Sequence, residues 1–193
     1  DSQDGGEPST LDENTKRVFQ GSIFLGEGFL LSHADASALI SVDQRNQEVI
    51  FPVLNGREVN SIPDQQPARS IINFFDWPKE QAQLYPAAYE RILKQVKPER
   101  DKVSRDSRRE RWWQYAERAT GLYTAIRPYQ HCFVVTRVTK HLSFSVVPPS
   151  YVYTDRLYVF ATDRWDLYAL VQSTLHEVWA RKYSGALKQD LNY

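Results

Sequence analysis

His131-Cys132-Phe133-Val134-Val135-Thr136-Arg137-Val138-Thr139-Lys140-His141-Leu142-Ser143-Phe144-Ser145-Val146-Val147 is dominated by β-branched and aromatic residues, with a polar turn near Lys140-His141. That composition predicts paired strands. Tyr151 to Phe160 continues as strand. Asp163 to Lys182 then switches to helical spacing, with Trp165, Tyr168, Val171, Leu175, Val178 and Trp179 on one face. Strands cluster, helices cluster, and regular strand–helix alternation is missing. The expected class is therefore α+β, a mixed or antiparallel sheet packed with several helices.

Working upstream, Tyr115 to Ile126 reads as a helix closed by Pro128. Glu99 to Arg111 has no apolar stripe and reads as a loop or an exposed helical turn. Ala82, Tyr85, Tyr89, Ile92, Leu93 and Val96 fall at helical spacing after an Asp76 cap, with Pro78 in the first turn and a break at Pro86. Lys97-Pro98 ends that helix. Ser70 to Phe75 is a buried strand, and Val49-Ile50-Phe51 is a strand stopped by Pro52 and followed by a Leu54-Asn55-Gly56 turn. Ser32 caps a short helix over Asp35 to Ile40. Val18 to Leu31, with Gly21, Gly26 and Gly28, suggests short strands around a tight turn. Residues 1–17, with Asp1, Asp4, Glu7, Asp12 and Glu13 around Gly5, Gly6 and Pro8, read as an acidic flexible lead-in, and residues 18–193 as the domain.

A chain of 193 residues, 41% hydrophobic and 13% aromatic, can bury one substantial core. No apolar run is long enough to span a bilayer, and no basic-then-apolar leader is present, so no membrane partner is expected. The single cysteine, Cys132, excludes an internal disulfide and fits a reducing, cytoplasmic setting. Its apolar neighbours predict a buried, inert thiol. The absence of methionine points to an internal piece of a longer chain.

Net charge is zero, but arginine outnumbers lysine two to one. Arg91, Lys94, Lys97, Arg100, Lys102, Arg105, Arg108, Arg109, Arg111 and Arg118 crowd one stretch, against Glu99, Asp101, Asp106, Glu110 and Glu117. The guanidinium fork suits phosphate and guanine, although a charge run also serves simply as a solvated face.

Catalytic patterns fail on chemistry. Phe24-Leu25-Gly26-Glu27-Gly28 matches the Phe-x-Gly-x-Gly loop of S-adenosylmethionine sites, but Phe29-Leu30-Leu31 continues as strand instead of opening a helix. Pro148-Pro149 follows Val147, where an amino-methyltransferase needs a polar acceptor. No glutamate has a lysine two residues later, as a magnesium-dependent nuclease of the common type requires. His131, His141 and His176 have no zinc spacing, and His176-Glu177 lacks a second histidine. No catalytic residue, metal ligand or cofactor is assigned to this chain.

Several phrases stand in one order: Phe19-Gln20-Gly21, Gly26-Glu27-Gly28-Phe29, Ile50-Phe51-Pro52, Leu54-Asn55-Gly56-Arg57-Glu58-Val59-Asn60, Ile72-Asn73-Phe74 and Asp76-Trp77. Val96-Lys97-Pro98-Glu99-Arg100, Trp112-Trp113-Gln114, Lys140-His141 and Ser173-x-x-His176-Glu177-Val178-Trp179-Ala180 complete the set. From about Val18 onward the chain resembles the target-recognition region of gamma-type adenine-N6 DNA methyltransferases, including single-chain type II restriction–modification enzymes and large phage-defence methylases. The resemblance implies double-stranded DNA as partner, and a catalytic methyltransferase domain elsewhere in the same parent chain. S-adenosylmethionine, and magnesium if the parent also cuts, would belong to that parent.

Reaching an adenine amino group requires flipping the base, so the duplex around it must be held firmly. Lys97, Arg100, Lys102, Arg105, Arg108, Arg109 and Arg111 are the candidates for phosphate, because no apolar stripe ties their segment to a core. Arg57, Arg137, Lys140 and His141 sit at predicted turns or strand ends, from which a side chain reaches a groove. The plainer alternatives are that Arg57 pairs with Glu58 or another acid and that Arg137 is a strand-face charge. Of Trp112 and Trp113, one is expected in the core and the other either covering it or stacking on a base. Trp77, Trp165 and Trp179 are expected in the core. Two further readings stay open: a protein-interaction lobe of a phage-defence complex, and a methyltransferase with degenerate motifs.

Overall fold

The computed structural model describes residues 12–187 and 190–193. Most of the acidic lead-in, residues 1–11, lies outside the described residues. In chain order the elements are β1 (Val18–Gln20), β2 (Leu30–Leu31), α1 (His33–Val42), β3 (Ile50–Leu54), α2 (Gly56–Ser61), β4 (Arg69–Ile72), α3 (Lys79–Ala82), α4 (Pro86–Gln95), α5 (Lys97–Arg100) and α6 (Asp106–Glu110). Then follow α7 (Thr120–Ile126), β5 (Cys132–Thr136), β6 (Val138–Thr139), β7 (Ser145–Val147), β8 (Val152–Tyr153), β9 (Leu157–Phe160), α8 (Trp165–Val171), α9 (Thr174–Tyr183), β10 (Gly185–Leu187) and β11 (Asp190–Asn192).

Three sheets organise these elements. The first, ordered β1-β9-β5-β7, is antiparallel throughout. The second, β2-β4-β3-β8, is mixed, because β3 and β8 run parallel. A small third sheet, β10-β11-β6, carries the C-terminus. The α+β expectation holds, with the polar turn placed where it was read, between β6 and β7.

Each of the first two sheets has its own apolar cluster. One gathers Phe29, Leu31, Val53, Ile71, Ile72, Phe74, Tyr89, Ile92 and both Trp112 and Trp113. The other gathers Leu54, Val59, Leu122, Ile126, Cys132, Val134, Tyr153, Leu157 and Val159. The parallel β3–β8 pair is the seam. Val53 opposes Val152 and Leu54 opposes Tyr153, and strand alternation sends the first pair into one core and the second into the other.

Several local expectations change. Strand β3 runs through Pro52 to Leu54, because Pro52 is an exposed residue in a strand whose core positions lie on either side of it. The turn read at Asn55 is instead a helix cap: the Asn55 side chain accepts from the Gly56 amide at 2.7 Å and α2 begins there. The single helix read over Asp163–Lys182 is two. Gln172 leaves the helix to bind both the amide and the carbonyl of Phe144, at 2.9 and 3.2 Å, and Ser173 then caps α9. Periodicity continues across that break, so spacing alone does not reveal it. Trp165 and Trp179, expected in the core, are 57% and 48% exposed.

Trp77 packs at the edge of the first core, and its carbonyl accepts from Trp113 Nε1 at 3.0 Å and Gln114 Nε2 at 2.8 Å. Trp112 and Trp113 are both buried, with rings edge-on at 6.1 Å, which removes the base-stacking option for either. Burial pushes the Cys132 thiol up to about 11, consistent with an inert core cysteine.

The first sheet is locked to the seam at one backbone crossing. The Gly21 amide donates to Leu157 at 3.1 Å and the Ser22 amide to Tyr153 at 2.7 Å. A Cβ on Gly21 would meet the Thr154 carbonyl oxygen at 2.2 Å. Gly21→Ala is therefore expected to destabilise the fold by about 2–3 kcal/mol, measured as a lowered urea midpoint with an unchanged denaturant slope.

Candidate functional site

Helix α2 leaves β3 at the seam and turns outward over the edge of the β5 strand. Asn55 fixes its start twice, binding Gly56 as a cap and accepting from Thr154 Oγ1 at 3.2 Å. Asn60 on the same helix accepts from Thr136 Oγ1 at 3.1 Å. Val59 anchors the inner face in the second core. The outer face is left polar, and three adjoining clefts surround it.

The first cleft, of roughly 500 Å³, lies between Asn60, Ser61 and Gln65 on one side and Lys140, His141 and Ser143 on the other. The second, of about 350 Å³, is lined by Arg57, Asn60, Arg137 and Arg156. The third, of about 370 Å³, is lined by Asn55, Arg57, Glu58 and Arg69. Shared lining residues make them one concave belt. It brings together Arg57, Arg137, Lys140 and His141, which lie up to 84 positions apart in sequence (141 − 57).

The belt is strongly cationic. Glu58 is the only acid among its lining residues, and it is 6% exposed, with no hydrogen-bond donor to its Oε2 among the described residues. Arg57, Lys140 and Arg156 have no ion-pair partner among the described residues. Arg57 thus does not pair with Glu58, the plainer alternative for it. Arg137 is held more firmly, donating to the Asp155 carbonyl at 3.4 Å and lying 5.8 Å from the Tyr158 ring centroid. The turn carrying Lys140 and His141 is pinned at both residues: Thr139 Oγ1 donates to the His141 carbonyl at 2.7 Å, and Arg181 donates to the Lys140 carbonyl at 2.9 Å. Forked cations and side-chain amides on a pinned frame match the groups that read base edges and grip phosphate.

Sequence reasoning missed Asn60, Arg69 and Arg156. Arg156 lies in the turn between β8 and β9, a position that the same turn-based reading would have selected. Asn60 and Arg69 carry no signal until α2 and β4 are placed beside each other.

The basic segment divides differently. Lys97 pairs with Asp101 at 2.6 Å, Arg105 and Arg108 approach Glu117 at 3.9 and 3.5 Å, and Arg109 pairs with Asp106. Lys102 and Arg111 are exposed with no ion pair among the described residues. Arg100 departs from the premise that nothing ties the segment to a core. It is 2% exposed, and its Nη2 donates to the carbonyls of Phe24 at 2.6 Å and Gln114 at 3.2 Å. Burial, followed by the like charge of Arg108, lowers its pKa from the ordinary guanidinium value. An arginine at the end of a one-turn helix, flanked by charges, leaves no sequence trace of that burial.

A Cβ on Gly28 would stand 2.7 Å from Gln95 Cβ and 2.8 Å from Val96 Cγ2, so that glycine is consumed by packing against α4. Among the described residues no group of three or more His, Cys, Asp and Glu is placed to hold a metal ion. No helix of the described residues is long and apolar enough to cross a membrane.

The family model described as "MmeI, target recognition domain" matches residues 8–193. A solved structure of the type IIL restriction–modification enzyme MmeI in complex with DNA shares the fold, with a TM-score of 0.72 at 15% identity over 97% of this chain. The chain spans 24% of the length of that structure's chain. No curated protein sequence matches it.

Arg100 is expected to behave as a structural residue. Arg100→Ala leaves two carbonyls without their donor, with an expected cost of about 3 kcal/mol, whereas Lys102→Ala changes stability by less than about 0.5 kcal/mol. Thermal melting of the two variants side by side checks both values.

Proposed function

Because the chain belongs to the MmeI target-recognition-domain family, matched over residues 8–193, we propose that it selects a double-stranded DNA sequence for a restriction–modification enzyme. The cationic belt around α2 carries this reading: Arg57, Arg137, Lys140, His141 and Asn60 converge on one concave surface. Arginine forks suit guanine, the Asn60 amide suits adenine, and the remaining cations suit phosphate. Lys102, Arg111 and the paired cations of α5 and α6 supply further backbone contacts.

Chemistry belongs to other parts of the parent. We assign adenine-N6 methylation, with S-adenosylmethionine as donor, to a catalytic domain of the same longer chain, and any magnesium-dependent cleavage likewise. The packing around Gly28 supports this division, since the space that a Phe-x-Gly-x-Gly loop would keep open at that glycine is filled by Gln95 and Val96. A second surface supports a protein contact as well. Leu175, Val178 and Trp179 form an exposed apolar face on α9, with Trp165 and Leu170 exposed on α8, and Leu170 and Trp179 line a cleft of about 360 Å³ with Phe133, Phe160 and Tyr193. We assign that face to the catalytic part of the parent, in the reducing cytoplasm, in preference to a separate subunit of a defence complex.

The test is duplex binding by fluorescence anisotropy, using a site selected from random sequence by the parent enzyme. Arg57→Ala and Arg137→Ala are expected to weaken binding roughly 5- to 150-fold (about 1–3 kcal/mol). A true reader relaxes the preference at one base pair, and a phosphate contact weakens all sequences alike. Absence of duplex binding at low salt by the parent enzyme overturns the proposal.

A further inference from the structure

Outside the belt, a second cluster of arginines is built around a single carboxylate. Glu117 sits in an isolated bridge with Ile23, each amide donating to the other's carbonyl at 2.9 and 3.0 Å. Its backbone is therefore fixed while its side chain stays half-exposed. Arg108 and Arg105 converge on Oε1 at 3.5 and 3.9 Å. A charge-assisted hydrogen bond to a carboxylate is about 2.7–2.9 Å, so both contacts are loose.

The donors here outnumber the oxygens that Glu117 offers. Arg108 Nε is buried with no acceptor among the described residues, as are Nε and Nη1 of Arg100. Arg100 lies directly behind. It bonds the carbonyl of Phe24, the neighbour of Ile23, and that of Gln114, three residues before Glu117. No carboxylate ion-pairs with Arg100 among the described residues, and only the charge of neighbouring Glu99 partly offsets its own; Glu117 is the acid that Arg105 and Arg108 share. A buried cation whose charge is only partly offset favours an anion at the mouth of its cluster, because the surrounding dielectric is low.

We propose that Arg105 and Arg108, backed by Arg100, form a seat for one backbone phosphate of the duplex, and that Glu117 holds this seat when no duplex is bound. The proposal rests on the DNA-recognition reading. A phosphate offers more acceptor oxygens than a carboxylate and matches the guanidinium fork. Entry of the phosphate swings Glu117 aside, so the acid opposes binding to every sequence equally. The seat adds affinity and register, and carries no base preference.

The experiment measures duplex affinity against salt for the parent enzyme, with thermal melting of each variant as a check on folding. Glu117→Gln is expected to tighten binding about tenfold, to cognate and unrelated duplexes alike. Glu110→Gln, which removes an exposed acid from the same segment, is expected to change affinity less than about twofold. In a chain that also carries Arg105→Ala and Arg108→Ala, the gain from Glu117→Gln should vanish and the salt slope should flatten by about one. Equal gains from Glu117→Gln and Glu110→Gln, or a gain that survives loss of both arginines, overturn the seat and leave DNA recognition standing. Failure of the unsubstituted enzyme to bind duplex overturns both.

Discussion

The parallel pairing of β3 with β8 is the constraint on which this fold depends. Two strand-ordered cores meet there, and two consecutive residue pairs, Val53 with Val152 and Leu54 with Tyr153, are divided between them. A one-residue slip would exchange the faces and bury each pair in the wrong core. The register is held by more than hydrophobic pattern. The Thr154 amide donates to the Leu54 carbonyl at 3.1 Å, and Thr154 Oγ1 donates to Asn55 Oδ1. Gly21 and Ser22 close over the same crossing, where nothing larger than hydrogen fits at Gly21.

The candidate interface follows from that crossing. Asn55 is at once the last member of the seam and the cap of α2, so the direction of the helix is set by the register of the sheet. Asn60, bonded to Thr136, fixes the far end against β5. The polar side chains between are therefore presented by a short but doubly anchored element, facing a turn that Thr139 and Arg181 pin from the other side. Such rigidity lowers the ordering cost of meeting a partner, which is what binding by a few forked side chains requires.

The α+β class, the break at Pro86, the cap at Ser32 and the buried Cys132 were legible because each rests on local chemistry: spacing, a missing amide, a hydroxyl, an apolar run. The errors share another origin. Gln172 interrupts a helix because of a partner that is distant in sequence, Phe144. Arg100 looks like a surface cation until Phe24 and Gln114 close around it. For the site, Arg137, Lys140 and His141 were legible singly as residues at a strand end and a turn, whereas Arg57, read at a turn, stands in the first turn of α2. Their meeting was not, because α2 and the β6–β7 turn become neighbours only once β5 has paired with β9. Trp165 and Trp179 mislead for a related reason: an apolar helix face reads as core whether its cover lies in this domain or in another one.

Zero net charge, which weighs against nucleic acid on a simple count, has a different meaning once the charges are placed. Lys97, Arg105, Arg108 and Arg109 each face an acid within their own neighbourhood, whereas Arg57, Lys140 and Arg156 in the belt face none among the described residues. On the proposed function, the cations that would grip any duplex are thus muted, and those positioned to meet base edges are left open. Muting phosphate contacts lowers affinity for all sequences together. It leaves untouched the contacts that differ between sequences, so the ratio of specific to non-specific binding does not fall with the affinity. A recognition domain attached to an enzyme that must search long DNA gains from that arrangement, since weak general binding shortens each stop at a wrong site.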